Sequence, residues 1–517
     1  MSLPPLNVIN ILLAAGPILV VLYLMIGLHW GGSKAGPAGW FVSVLVAVLF
    51  FGAGGNLLLV AWGKAVLLAW FVLYIIWMAL FLYHTVNEAG AITLIGEELP
   101  GLAQDRPAQA LLIAWLFGSF LQGATGFGVP AAVVAPLLLG MGFGADTAVT
   151  IALLGHSWAV TFGSLGSSFV SLMAATGLPG EILAGPTAAL LAVCCLGCGA
   201  GVLWLVGGLT AVRQRGLFML ILTVVMGSVQ WGIARLGLWT LAAFGAGLVG
   251  LLVAIVYFLR TNRAGRPFDH RRLLQAFMPY LLLIIIIVLG ELVLDSVLGV
   301  VQINPVFPEV VTRFGWLTTA GTGRSINLFG HAGALLLYTS LITLGWYRWR
   351  ITRSPAPLLP RTPKYSGRLV LQKSLKGSIN PTIGIYALVA MALTMQHAGM
   401  TQLLAEALSR SAALFPFLSP FIGALGAFMT GSNTNSNVVF GQLQQQTAVA
   451  LQLAVPLILA AQTVGGAMGG TFAPAKVIVG CSTVPGADDG RVLKLATLYS
   501  LIILGFVGVI VWLVARL

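Results

Sequence analysis

Acidic side chains are scarce in this chain: 13 Asp and Glu stand beside 26 Lys and Arg in 517 residues, and charged residues make up only 8%. A soluble domain carries about 25% charge, so a water-soluble globule is excluded. Disorder is excluded too, because disordered chains are poor in apolar residues and this one is 59% hydrophobic. Four cysteines provide no disulfide framework. Cys194 and Cys198 share a helix face, as a metal or redox pair would, but no hard ligand lies nearby and small apolar filler is the better reading. No metal and no cofactor is expected. HExxH, GxSxG and a Gly-Lys-Ser/Thr phosphate loop are all missing. An enzyme is therefore not the expectation, and ATP is not the expected energy source.

What is present is apolar surface, with a mean hydropathy of +1.00, and 64 glycines that suit close helix packing. Apolar runs recur at 8–28, 41–62, 66–83, 110–123, 148–161, 188–206, 217–236, 241–259, 278–298, 335–346, 383–395, 414–429, 451–461 and 493–514. A bilayer core needs about 20 apolar residues per helical span. The run at 8–28 is too long for a signal core and has no basic residue before it, so it reads as a first span. Runs around 110–142 and 412–480 are too short to cross straight.

The basic residues mark the sides. Arg213 and Arg215 precede one pair of spans, and Arg260, Arg263, Arg266, Arg271 and Arg272 follow it. Two spans later come Arg348, Arg350, Arg353, Arg361, Lys364, Arg368, Lys373 and Lys376. Even numbers of crossings separate these loops, so the positive-inside rule puts all three in the cytoplasm and the less basic 300–330 segment outside. The net charge of +13 is a topology signal, and nucleic acid is not an expected partner. Lys64, between two runs, is expected to snorkel or cap a turn.

The chain repeats itself weakly. Residues 118–130 align with 426–438 at an offset of 308, sharing Gly118/Gly426, Phe120/Phe428 and Gly123/Gly431, and 156–163 align with 462–469. Weak similarity at matching places in two halves marks a transporter built from repeats. The expected fold is all-α: a polytopic membrane protein of about ten to thirteen transmembrane helices, in two inverted repeats with re-entrant hairpins and broken helices. It forms a single integral membrane domain, 1–517, with repeat cores at 108–180 and 411–485.

Function is expected at the polar interruptions, 123–128, 164–168, 431–437 and 469–474. Unwound backbone at membrane depth survives only where protein or a water-filled cavity satisfies it, and half-helix N-termini there present N–H donors to an anion. The run Thr430 to Asn437 is the most polar uncharged stretch in any apolar region, and Ser432, Asn433, Thr434, Asn435 and Asn437 are candidate binding residues. The alternative is an extramembrane Asn/Ser turn. Gln122, Gly123, Thr125 and Gly126 form a glycine-rich segment that reads equally as a kinked packing helix. His156, Ser157, Ser167, Gly469, Gly470 and Lys476 complete the candidate site. His156 is also a candidate proton carrier, beside Glu291 and Asp295, which lie one turn apart near an outer helix end and also fit a solvated terminus.

The stretches FLQGATGFGVP (120–130), HSWAVTFGSLG (156–166), FMTGSNTNSN (428–437) and TVGGAMGG (463–470) with Ala473-Pro474 resemble the L-lactate permease family over nearly the whole chain. The resemblance implies proton-coupled uptake of L-lactate, glycolate and related 2-hydroxy-monocarboxylates across a prokaryotic cytoplasmic membrane, by an elevator-like motion. It also implies a glutamate at position 122, an aspartate at 433 and a lysine at 470, where this chain has Gln122, Asn433 and Gly470. Lys476 stands about 240° round a continuous helix from position 470, so on that geometry it does not replace the missing cation. The expected partners are a small organic anion, a proton or Na⁺, and the lipid bilayer, with a homo-oligomer open. Alternatives are a sulfonate, dicarboxylate or inorganic anion on the same fold, an anion channel and an intramembrane enzyme.

Overall fold

The computed structural model describes residues 3–126, 128–261, 270–353, 365–410 and 413–517. Nearly all of it is helix. The first spans are α1 (Val8–Ile26), α2 (Gly32–Phe50) and α3 (Gly55–Glu88), followed by the short α4 (Ala91–Glu98). A half-length helix then enters as α5 (Arg106–Ala110), a π-helical stretch Leu111–Phe117 and α6 (Gly118–Ala124), and leaves as α7 (Val129–Gly140). Next come α8 (Ala145–Gly155), α9 (Gly163–Thr176), α10 (Gly180–Arg235), α11 (Trp239–Thr261), α12 (His270–Leu292) and α13 (Asp295–Leu298). The last stretch holds α14 (Ala332–Arg353), α15 (Gly367–His397), α16 (Met400–Ser409), α17 (Phe415–Thr430), α18 (Asn433–Ala450), α19 (Val455–Gly469), α20 (Pro474–Ser482) and α21 (Asp489–Val514).

Among the described residues nine helices are long and apolar enough to cross a membrane, and α8 with α9, bent by 53° at their break, is long and apolar enough when taken as a pair. The 56 residues of α10 are two arms rather than one rod. Gly207 and Gly208 leave helical geometry, Gly208 at φ +56, and the arms fold back antiparallel: β-carbons added at Gly185, Gly199 and Gly227 would meet Arg235, Met219 and Ala192. Two expectations change here. The runs 41–62 and 66–83 are divided at the wrong place, because the chain breaks at 51–54, with Gly52 at φ +70, and Lys64 lies inside α3. Arg368, Lys373 and Lys376 lie in the first turns of α15 rather than on a loop.

The order long helix, short helix, interrupted hairpin, interrupted span, long helix runs from α3 to the first arm of α10 and again from α15 to α21. The two copies run in opposite directions where their long helices meet. Lys64 contacts His397, Trp77 Nε1 donates to Thr382 Oγ1 at 2.8 Å, and Lys373 pairs with Glu88 at 2.6 Å. Ascending positions on α3 thus face descending ones on α15. The 300–330 segment is not helical: β1 (Gln302–Ile303), β2 (Val306–Phe307) and β3 (Val310–Val311) pair antiparallel with β6 (Ile326–Asn327), β5 (Gly321–Thr322) and β4 (Leu317–Thr318), making one long two-stranded ribbon.

Candidate functional site

Each interruption has a local cause. Between α6 and α7 the chain passes Gly126 at φ +66 and Gly128 at φ +84, and Pro130 then restarts the helix. After α8 the backbone turns at His156, makes one tight turn over Ser157–Ala159, and carries Ser164, Leu165 and Gly166 in the left-handed region. Ser164 and Leu165 have β-carbons, so each costs about 1–3 kcal/mol there, a strain that concentrates at functional sites. Gly431 at φ +67 ends α17, and Ser432 caps α18 by accepting from the Asn435 N–H at 3.3 Å. Gly470–Phe472 is a single 3₁₀ turn, and Pro474 opens α20.

The polar run at 431–437 is therefore mostly helical, contrary to the expectation of an unwound stretch. Only Gly431 and Ser432 lie outside α17 and α18. Once Ser432 caps the helix, the three asparagines occupy its first two turns, with Asn433 and Asn437 on one face.

These residues meet the interruption of the other repeat. Asn433 Nδ2 donates to Thr161 Oγ1 at 3.1 Å and to the Thr463 carbonyl at 3.0 Å. Asn437 Nδ2 donates to Thr463 Oγ1 at 2.9 Å and to the Ser168 carbonyl at 2.8 Å, and the Ser168 and Thr434 hydroxyls lie 3.1 Å apart. The result is a buried polar knot between α9, α18 and α19. Because the Asn433 and Asn437 amide nitrogens each face a carbonyl, their oxygens are assigned as well: both Oδ1 atoms are buried with no partner among the described residues. Behind the knot a satisfied network locks the helices, with Gln444 Nε2 donating to Gln462 Oε1 at 2.7 Å and Gln462 Nε2 donating to Ser436 Oγ at 3.0 Å.

A second cluster sits at the ends of α8 and α19. Ser157 Oγ contacts Thr471 Oγ1. Buried His156 holds its Nδ1 2.6 Å from the Ala152 carbonyl, which makes Nδ1 the donor and leaves the Nε2 lone pair free in the neutral ring. Lys476 departs from the sequence argument. The helix is interrupted at 470–473, so the 240° of a continuous helix does not apply, and Lys476 Nζ lies 2.9 Å from where a β-carbon on Gly470 would be. The ammonium arrives beside position 470 from six residues further on.

Other candidates are placed differently. Gly123 packs on the Phe244 backbone and Gly469 on Ala424, where side chains would not fit. Gly126 lies against Ser164, and Gln122, buried, lies against Gly163. Thr125 Oγ1 donates to the Leu121 carbonyl at 2.7 Å, and Ser167 is buried in the same turn region as Ser168. Glu291 stands near the end of α12 beside Thr240, whose Oγ1 donates to it at 3.4 Å and whose backbone packs against Gly166. Asp295 belongs to the separate α13, so the two do not share one continuous helix face, and the Asp295 side chain lies outside the described residues. Thr161, Thr463 and Thr471 were not among the predicted site residues. Their signal, a threonine inside or directly after each glycine-rich motif, is too common in membrane helices to stand out alone.

The family model described as "L-lactate permease" matches residues 10–517. The chain is 24% identical to the L-lactate permease of Bacillus subtilis, with 98% of this chain and 96% of that one covered. It is 25% identical to the glycolate permease GlcA of Escherichia coli, with 97% and 95% covered. Among solved structures, the YdaH transporter of Alcanivorax borkumensis matches over 98% of each chain at 13% identity and a TM-score of 0.42.

Proposed function

The chain belongs to the L-lactate permease family, and from that premise and the geometry of the interruptions we propose that it is a secondary active transporter importing L-lactate, glycolate or a related 2-hydroxy-monocarboxylate through a prokaryotic cytoplasmic membrane. The observation that carries the reading is the meeting of both repeats at one buried polar centre, where Asn433 and Asn437 of the second bond Thr161 and Ser168 of the first. The chemistry suits a 2-hydroxy acid. The substrate carboxylate takes the Lys476 ammonium, the hydroxyls of Ser157 and Thr471, and the N–H groups of Asn433 and Thr434 at the start of α18 and of Ala475 at the start of α20. The 2-hydroxyl donates to an asparagine Oδ1, an acceptor that is otherwise unpaired.

Gln122 and Asn433 cannot bind a proton, so in this reading the coupling proton loads on His156 Nε2 and leaves with the substrate on the inner side. Exchange between the two sides is elevator-like, the knot moving as a body relative to the long helices. A second reading replaces the proton by Na⁺. It rests on the amide oxygens of Asn433 and Asn437, unpaired among the described residues, which are hard neutral ligands of the kind Na⁺ accepts.

Uptake of labelled L-lactate into proteoliposomes, under an inward proton gradient or an equal Na⁺ gradient, tests both. Accumulation driven by protons supports the main reading and accumulation driven by Na⁺ the second. No uptake under either gradient moves the protein to another anion.

A further inference from the structure

A second cationic site lies away from the interruptions. Between α3, the outer ends of α9 and α15, and the ribbon is a cavity of about 520 Å³ bordered by Lys64, Arg324, His397, Thr322, Gln396 and Gln442. Among the described residues no carboxylate borders it. His397 Nδ1 lies 2.8 Å from the Leu393 carbonyl, so it is the donor there and Nε2 is an acceptor, which Lys64 Nζ meets at 3.4 Å. The ring thus turns its Nε2 lone pair to the Lys64 amino group and fixes where that group stands. The Arg324 guanidinium lies 4.0 Å from the centre of the Phe71 ring, and its Nε is buried without a hydrogen-bond partner among the described residues. Neither cation forms an ion pair among the described residues. On the other side of Arg324, Glu291 and His331 border an adjoining cavity of about 300 Å³.

Two positioned, uncompensated cations in a polar chamber are costly unless an anion neutralises them. The chamber stands on the same helices as the centre. Thr176 on α9 and Gln442 on α18 border it, each eight residues beyond Ser168 and Thr434 on the same helices, about 12 Å along the axis.

We propose that this chamber is an outer anion-binding site that takes a small carboxylate before it reaches the helix interruptions, with Arg324 as its principal ligand and Lys64 as the second. The proposal rests on the reading of the chain as a carboxylate transporter. It adds a capture step that raises the local substrate concentration, as clefts of one charge sign do.

The test places a reporter on the ribbon. Thr322→Cys is exposed, whereas the four native cysteines are buried, and its rate of modification by an impermeant, charged thiol reagent is measured with and without L-lactate. In a background carrying Asn433→Leu, which disables the central site, L-lactate is expected to slow modification by about fivefold at four times its half-protecting concentration. Arg324→Gln is expected to remove the protection and Arg324→Lys to restore part of it. In the chain with Asn433 intact, Arg324→Gln is expected to raise the KM for lactate uptake by about tenfold with kcat little changed, the mark of lost capture.

No protection, protection that survives Arg324→Gln, protection that disappears with Asn433→Leu, or equal protection by chloride or inorganic phosphate would each overturn the proposal. Retained uptake in Asn433→Leu counts against the central-site reading alone, so the two failures are distinguishable.

Discussion

At Asn433, one side chain carries both the packing of the centre and its expected chemistry. Its amide nitrogen joins Thr161 on one repeat to Thr463 on the other, and its oxygen is left unpaired. Asn433→Leu removes the donor while Thr161 Oγ1 still donates to the Thr463 carbonyl at 3.0 Å, a loss of about 0.5–1.5 kcal/mol. The expected outcome is no lactate uptake from a protein that still reaches the membrane and melts a few degrees lower, measured by proteoliposome uptake and thermal unfolding. Full retained uptake would remove Asn433 from the site. The polar character of this residue was legible in the sequence as an Asn/Ser run inside apolar surroundings. Its partners were not, because Thr161 is 272 positions away and nothing local to either residue records the meeting. Lys476 shows the same limit more sharply: a continuous helix turns it away from Gly470, and only the interruption brings it back.

The helices are held by features that sequence reveals in part. Along the contact of α17 with α19, a β-carbon at Gly465 would strike the Pro420 carbonyl, one at Gly423 the Gln462 carbonyl, and one at Gly469 the Ala424 carbonyl. Backbones approach closely there because small residues allow it. Gly465→Ala is expected to force the helices apart at a cost of about 1–3 kcal/mol, with a lower melting temperature and reduced uptake; an unchanged melt would show that the contact relaxes freely. The start of α5 gives a pH-dependent case. Asp105 caps the helix by accepting from the Ala108 N–H at 2.9 Å and also pairs with Arg215. Burial pushes its carboxyl up, but the Arg215 hydrogen bond and the cap outweigh this and hold it below its ordinary 3.8. A depressed carboxylate contributes stability above its unfolded value and loses it as pH falls through the folded one. Asp105→Asn should therefore lower the melting temperature at neutral pH, and the difference from the parent should shrink below about pH 4. A difference that stays constant with pH would assign the effect to packing.

For the whole molecule, the distribution of basic residues and the antiparallel meeting of α3 with α15 make one joint statement about orientation. Arg368 and Lys373 mark one face, and Lys373 reaches Glu88 at the end of α3, whereas Lys64 and His397, at the other ends of the same helices, border the ribbon chamber. Cysteine placed at Arg368 should react with an impermeant reagent only in inverted vesicles, and cysteine at Thr322 only in right-side-out cells. Labelling of both from one side would invalidate the topology and with it the outer position of the chamber.

Composition alone determined that this chain is a helical membrane protein, because so few charges cannot cover so many apolar groups in water. Glycine and proline marked where the interruptions begin at 126–128, 431 and 470–474, since their backbone preferences act locally, whereas the asparagines that follow Gly431 are helical. The tertiary structure decided which interruptions face one another, that α10 is a hairpin, that Lys64 lies within a helix beside His397, and that Arg324 on the ribbon returns to Phe71 of α3. Those facts depend on contacts between residues hundreds of positions apart, whose energies come from burial and hydrogen bonding in three dimensions and leave no periodicity in the chain.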